Sequence, residues 1–314
     1  MNDKQPTSGF VSDIDDESDF NSTRHNGGFT NISEAYVSKS GFTRMFSAVR
    51  YGKRYMLKCL KPDFAYTPTY RQALMKEFEI GLQLDHPNIC RTISMEPVGE
   101  LGDCIVMEYV DGETLEAAVK GGNMTEDKVR KIASQLLDAM EYMHAKQTVH
   151  RDIKPSNIML THRGGDVKLI DFGLSDSETF CVLKIPAGTI GYMAPEQLQP
   201  GAKSDLCADI YSFGKVLEYM AEAVRSKSLA RVGQKCAADE CDRRPADIAQ
   251  VRRLMADGER SFAVVNALLI ALALVLLIVI GAMINSRQTK QADAVNADSV
   301  SEKAANKVMD SSLW

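Results

Sequence analysis

Hydrophobic and polar positions change rhythm several times along this chain. Residues 1–31 are polar, carry Asp13, Asp15, Asp16, Glu17 and Asp19 in one acidic cluster and hold little to bury, so this arm is expected to be disordered. From Ile32 to about Tyr109, short apolar-rich runs predict strands with one helix. Met45–Tyr51 and Arg54–Leu60 flank Gly52 as a hairpin would. Arg71–Leu84 sets Leu74, Phe78 and Gly81-Leu82 at helical spacing and stops before His86-Pro87. Cys104–Tyr109 then reads as a buried strand. Beyond it, Thr125–His144 has a helical period, with Val129, Ile132, Leu136, Leu137 and Met140 on one stripe. Strands first and helices afterwards predict an α+β unit of two lobes, the smaller and β-rich one ending near residue 110.

The last change of rhythm is the sharpest. Phe262–Ile284 is a run of 23 residues without a charge. At helical rise it would extend roughly 35 Å, enough for a hydrocarbon core of ~30 Å. A buried core helix is the other reading, but buried helices of that length with no charge are uncommon, so the run predicts a transmembrane helix. Residues 285–314 are polar, rich in Ala, Asp, Ser and Lys, and are expected to form a flexible tail.

Composition narrows the class. With 45% hydrophobic and 25% charged residues in 314, the chain is globular rather than fibrous. A net charge of -5 argues against a nucleic-acid partner, which would call for a basic face. The seven cysteines, Cys59, Cys90, Cys104, Cys181, Cys207, Cys236 and Cys241, form no CxxC pair and no zinc-site spacing. Scattered thiols of this kind are expected to be unpaired in a reducing compartment. The first residues lack the basic and apolar regions of a signal peptide, so the N-terminus is expected to stay in the cytosol.

The candidate chemistry sits in His150-Arg151-Asp152-Ile153-Lys154-Pro155-Ser156-Asn157, then Asp171-Phe172-Gly173, then Ala194-Pro195-Glu196. In this order the three stretches resemble the catalytic loop, the Mg²⁺ loop and the end of the activation segment of eukaryotic-type (Hanks-type) Ser/Thr protein kinases. Upstream, Tyr55-Met56-Leu57-Lys58 is similar to that family's third-strand lysine motif. The resemblance runs from Ile32 to about Asp257 and implies a two-lobed kinase fold, shortened near residues 225–243, that uses ATP and Mg²⁺ on a protein substrate.

Phosphoryl transfer demands positioning and charge neutralisation more than covalent chemistry, and the resemblance distributes those tasks. Asp152 would accept the substrate hydroxyl proton, and Lys154 would balance charge on the transferring group. Asn157 and Asp171 supply hard oxygens suited to Mg²⁺. Thr189 would support the base and Lys154; it and the lysine are features of Ser/Thr kinases. Lys58 would hold the phosphates, paired with Glu77, or with Glu79 as the second choice. Met107 would guard the adenine pocket, Glu108 and Val110 would bond adenine through their backbones, Met45 and Met56 would roof it and Met159 would floor it. Ser40, Gly41 and Thr43 lie in the stretch standing for the Gly-rich loop, where side chains limit backbone approach to phosphate. His150, Asp209 and the pair Glu196–Arg244 would be structural supports. Arg151 would meet a phosphate on the activation loop, for which Ser175, Ser177 and Thr179 are candidate acceptors.

The expected function is thus a membrane-anchored Ser/Thr protein kinase, with the kinase domain cytoplasmic and the tail on the opposite side. The alternative is a membrane-tethered pseudokinase that binds nucleotide or partners without catalysis. Retention of Asp152, Asp171, Asn157 and Lys58 favours the enzyme.

Overall fold

The computed structural model describes residues 27–37, 41–172, 190–198, 206–257, 268 and 270–283. The chain forms two compact units, residues 1–255 and 256–314.

In the first unit, five antiparallel strands form one sheet in the order β1-β2-β3-β5-β4. They are β1 Thr30–Val37, β2 Thr43–Arg50, β3 Lys53–Leu60, β4 Thr92–Pro97 and β5 Asp103–Glu108. The predicted hairpin at Gly52 is present: Arg50 pairs with Lys53, and both turn residues, Tyr51 and Gly52, have positive φ. Such turns match the twist of the flanking strands. Side chains alternate along β3. Leu57 and Cys59 enter a core with Phe46, Ala48, Cys104 and Val106. Met56 joins a second cluster on the cleft side with Met45, Met107, Val110 and Met159, and Lys58 turns to the helix α1, Pro68–Leu82. That helix begins three residues before the Arg71 expected from periodicity, because Pro68 takes a first-turn position where its missing N–H costs nothing. Leu84 lies beyond the helix end and belongs to the core of the larger lobe.

Of the arm expected to be disordered, residues 1–26 lie outside the described residues, and the rest departs from the expectation. Residues 27–31 belong to the fold: Phe29 is buried, edge-on to Tyr55 at 5.9 Å and under the Arg50 guanidinium at 4.2 Å. One aromatic among polar neighbours has no periodicity to reveal it.

The larger lobe starts with β6 Gly112–Thr114, α2 Leu115–Lys120 and α3 Glu126–Ala145, continues through β7 Ile158–Thr161 and β8 Val167–Leu169, and adds α4 Leu206–Ala223 and α5 Lys227–Cys236. Residues 248–257 are helical. Thr125 caps α3 by accepting from the Lys128 N–H, and Glu126 and Asp127 favour the helix N-terminus. The predicted α3 stripe is buried in one core with Ile210, Phe213, Val216 and Leu217 of α4. α5 folds straight back on α4, and two glycines allow it: a Cβ on Gly214 would lie 2.7 Å from the Gly233 carbonyl oxygen. This helix of 10 residues and one turn to Arg244 fill the stretch read as shortened.

The cysteine expectation needs correction. Cys59, Cys90, Cys104 and Cys236 are free and buried, but Cys207 and Cys241 are joined in a disulfide. Their partnership arises because the Arg244 turn is drawn against the start of α4, which spacing along the chain does not reveal. Cys181 lies outside the described residues.

In the second unit, residues 270–283 are helical, and every one of them is exposed. No helix among the described residues is long and apolar enough to cross a membrane. Residues 262–267, 269 and 284 of the predicted span, and the predicted tail 285–314, lie outside the described residues.

Candidate active site

The site is assembled around a buried carboxylate. Asp209, in the first turn of α4, is fully buried, and its oxygens accept from the His150 N–H and Arg151 N–H, each at 2.9 Å, and from His144 Nε2 at 3.0 Å. Burial alone would raise its pKa, but the His144 contact and the backbone donors prevail and hold it below the ordinary aspartate value. Fixed from beneath in this way, the loop can carry Arg151 at a φ of 67°, a conformation that costs free energy for a non-glycine residue.

His150 extends the support sideways. Burial lowers its pKa, so the ring is neutral. Nε2 lies 3.2 Å from the Ile170 carbonyl oxygen and Nδ1 3.3 Å from the Asp152 N–H, which assigns the proton to Nε2. Its ring packs 5.2 Å from Phe172. Both ring nitrogens of His150 thus face backbone groups.

Above this base sits Asp152, 8% exposed. Its Oδ2 accepts from Lys154 Nζ at 2.7 Å and Asn157 Nδ2 at 2.8 Å, while Oδ1 has no hydrogen-bond partner among the described residues. Burial pushes Asp152 above the usual carboxylate value, against the pull of Lys154. One oxygen is clamped and the other can receive a proton from an incoming hydroxyl.

Lys58 joins the lobes. Its ammonium, on β3, reaches Glu77 Oε1 of α1 at 2.5 Å and Asp171 Oδ1 at 2.7 Å. Burial alone would lower the lysine pKa; the two carboxylates outweigh it and raise it, so the group stays charged. Burial pushes Glu77 up to about 7, with Lys58 opposing. Of the two candidate partners the structure selects Glu77, because Glu79 lies on the exposed face of α1 and pairs with Lys76. Gly81, one turn after Glu77, brings α1 close to β4: a Cβ there would run into Thr92 Oγ1.

Asp171, at a φ of 69°, is partly exposed, and no group of three acidic, histidine or cysteine side chains among the described residues could hold a metal alone. This sparse oxygen set fits Mg²⁺, which keeps several waters and takes further ligands from substrate phosphates. Asp171 and Asn157 are the residues that would hold it. Met45, Met56, Met107, Val110 and Met159, the residues expected around the base of a nucleotide, share one apolar cluster. The Glu108 carboxylate is engaged by Lys168 at 2.6 Å and by the Arg91 N–H; its own N–H donates to the Arg91 carbonyl at 3.0 Å, and its carbonyl accepts from Cys90 Sγ at 3.7 Å.

Glu196 and Arg244 form the expected pair in bidentate form, at 2.6 and 2.8 Å. Thr43 is the first residue of β2, and Gly41 lies two residues before it. Ser40, Thr189, Ser175, Ser177 and Thr179 lie outside the described residues. Sequence reading did not single out His144, Gln197 or Ser212 as supports. Gln197 is buried, accepts from the Ala194 N–H and donates to the Arg151 carbonyl, and Ser212 donates to the Tyr192 carbonyl. Ser212 interrupts the apolar face of α4 between Ile210 and Phe213, and such a polar residue needs a buried partner. That was the available signal.

Comparison with known proteins agrees with this geometry. A family model described as "Protein kinase domain" matches residues 39–252. Mitogen-activated protein kinase kinase 9 of Arabidopsis thaliana is 40% identical over 174 residues, 52% of this chain and 53% of that protein. Serine/threonine-protein kinase PrkC of Bacillus subtilis is 36% identical over 167 residues, 51% of this chain and 25% of that one. Serine/threonine-protein kinase pkn2 of Myxococcus xanthus is 32% identical over 181 residues, 54% and 21%. The chain thus spans about half or less of the length of these curated relatives.

Proposed function

The chain belongs to the protein kinase family, and on that premise we propose that it transfers the γ-phosphate of ATP to Ser and Thr hydroxyls of protein substrates while anchored in a membrane through residues 262–284. The observation that carries the catalytic reading is Lys58 bridging Glu77 and Asp171. That bridge joins a small-lobe helix, a strand and the large-lobe metal loop in the arrangement phosphoryl transfer needs. Asp152 orients the attacking hydroxyl and takes its proton on Oδ1. Lys154 offsets negative charge beside it. Bound Mg²⁺ would supply neutralisation of the phosphate oxygens. The names of the Bacillus and Myxococcus relatives, together with Lys154, support Ser/Thr as acceptors.

The anchor rests on the uncharged run itself and on the exposure of its described helical residues, Leu272, Leu276, Ile278 and Met283 among them. Such a surface is costly in water. The kinase domain then lies in the cytosol, where ATP is, and the tail lies opposite. The flanking charges fit: Arg243, Arg244, Arg252, Arg253 and Arg260, five in all, precede the run within about 20 residues, and Arg287, Lys290 and Lys303, three, follow it.

One experiment tests both parts. Membranes from cells expressing the full chain are washed with alkaline carbonate and incubated with γ-labelled ATP and Mg²⁺. The labelled activity should stay in the pellet and yield phosphoserine or phosphothreonine. Release of the chain by carbonate rejects the anchor, and predominant phosphotyrosine rejects the acceptor class.

Glu77→Gln should lower kcat/KM for ATP about tenfold, the equivalent of one lost charge-assisted bond of ~1.5 kcal/mol. Lys58 would keep Asp171 but lose its anchor on α1. Steady-state kinetics check this, and an unchanged kcat/KM would show that the pair does not hold Lys58 in the working enzyme.

A further inference from the structure

Cys207 and Cys241 stand apart from the other described cysteines. Cys59, Cys90, Cys104 and Cys236 are buried, and burial pushes the Cys90 and Cys236 thiols up to about 12, which makes them poor nucleophiles. Cys207 is half-buried in the first turn of α4, Cys241 is exposed, and their Cα atoms are 6.0 Å apart. The bond is therefore open to solvent. Where the other described cysteines are free thiols, a solvent-accessible disulfide is characteristic of a redox-responsive pair rather than a permanent brace.

Its position decides what it could control. Arg244 lies three residues after Cys241, and all five of its N–H donors are committed. They go to both Glu196 oxygens, to the Cys207 carbonyl at 3.0 Å, and to the Ala238 and Asp239 carbonyls. The Cys207 sulfur also lies 3.6 Å from Glu196 Oε1. Segment 190–198, which carries Glu196 and Gln197, is tied to α4 at this point, two residues before Asp209 takes hold of the catalytic loop. The disulfide is a second, covalent tether beside an ionic one.

We propose that Cys207 and Cys241 form a peroxide-responsive pair whose oxidation tightens the hold of α4 on segment 190–198. The chemistry does not depend on the kinase reading; its consequence for substrate affinity does. Cys241, the exposed thiol, attacks hydrogen peroxide as the thiolate. The O–O bond breaks, the departing hydroxide takes a proton and leaves as water, and Cys241 becomes a sulfenic acid. Cys207 then attacks the Cys241 sulfur. The S–O bond breaks, a second water leaves and the disulfide forms. Two thiols have given two electrons to one peroxide. Because the Arg244 bonds remain in the dithiol form, reduction loosens the segment without releasing it, and the effect falls on protein-substrate KM rather than on ATP.

The test uses the full chain in detergent, oxidised with hydrogen peroxide or reduced with dithiothreitol, alongside Cys207→Ser and Cys241→Ser. Peptide mapping should find the 207–241 bond only in oxidised wild type, and dimedone should label Cys241 in oxidised Cys207→Ser. Protease cleavage within 190–198 should be slower in the oxidised form, and its melting midpoint higher by about 5–10 °C for a loop of this length. KM for a generic basic protein substrate should be about fivefold lower when oxidised. Absence of the bond after peroxide, or equal cleavage and melting in the two redox forms, overturns the proposal, as does an unchanged protein-substrate KM in a chain that transfers phosphate. Redox-dependent cleavage in a chain that transfers no phosphate upholds the tether and refutes the kinase reading instead.

Discussion

Asp209→Ala should lower the melting midpoint of the kinase domain by about 10 °C, more than any single substitution at the nucleotide side of the cleft. The carboxylate is fully buried and accepts from two backbone N–H groups and from His144. Without it, those donors remain in the core with no water to replace it, a loss of ~3–5 kcal/mol. At a sensitivity of roughly 2–4 °C per kcal/mol for a domain of this size, the shift is easily measured. Arg151 would also lose what holds it at positive φ, so activity should fall with stability. Asp209→Asn, which keeps one oxygen as acceptor, should lie between.

The pH dependence carries its own sign. The folded pKa of Asp209 lies below the ordinary 3.8, so its stabilisation is complete above that value and fades as pH falls through the folded pKa. Melting midpoints of wild type and Asp209→Ala should therefore converge in strong acid and stay apart at neutral pH. Parallel midpoints down to the acid limit would mean the carboxylate contributes no charge-dependent stability.

What the sequence made legible was what is local. The catalytic residues are contiguous, so Asp152, Lys154 and Asn157 could be assigned together, and the structure brings all three within hydrogen-bond reach. The hairpin at Gly52 and the α3 stripe follow from turn chemistry and from helical period. The choice between Glu77 and Glu79 needed the actual phase of α1, which starts earlier than its apolar positions indicate. In the sequence Gly81 marks only a helical position, and the fold alone shows Thr92 of β4 in the space a Cβ would need. Phe29 and the Cys207–Cys241 bond were missed because each depends on contacts across the fold that leave no pattern along the chain.

The largest effect is expected at the base. Asn at position 152 keeps the size of Asp and can still accept from Lys154 and Asn157, so the loop should stay in place and melting should change little. It cannot take a proton. Removing a general base of this kind costs about 10²–10⁴-fold in rate. The deciding measurement is the initial rate at which the full chain, with Mg²⁺, moves label from γ-labelled ATP to a generic basic protein or to itself, wild type beside Asp152→Asn matched by melting midpoint. A protein kinase working through Asp152 predicts transfer by wild type and a rate at least about 100-fold lower in the variant. Equal rates in the two, or no transfer by either, would contradict it.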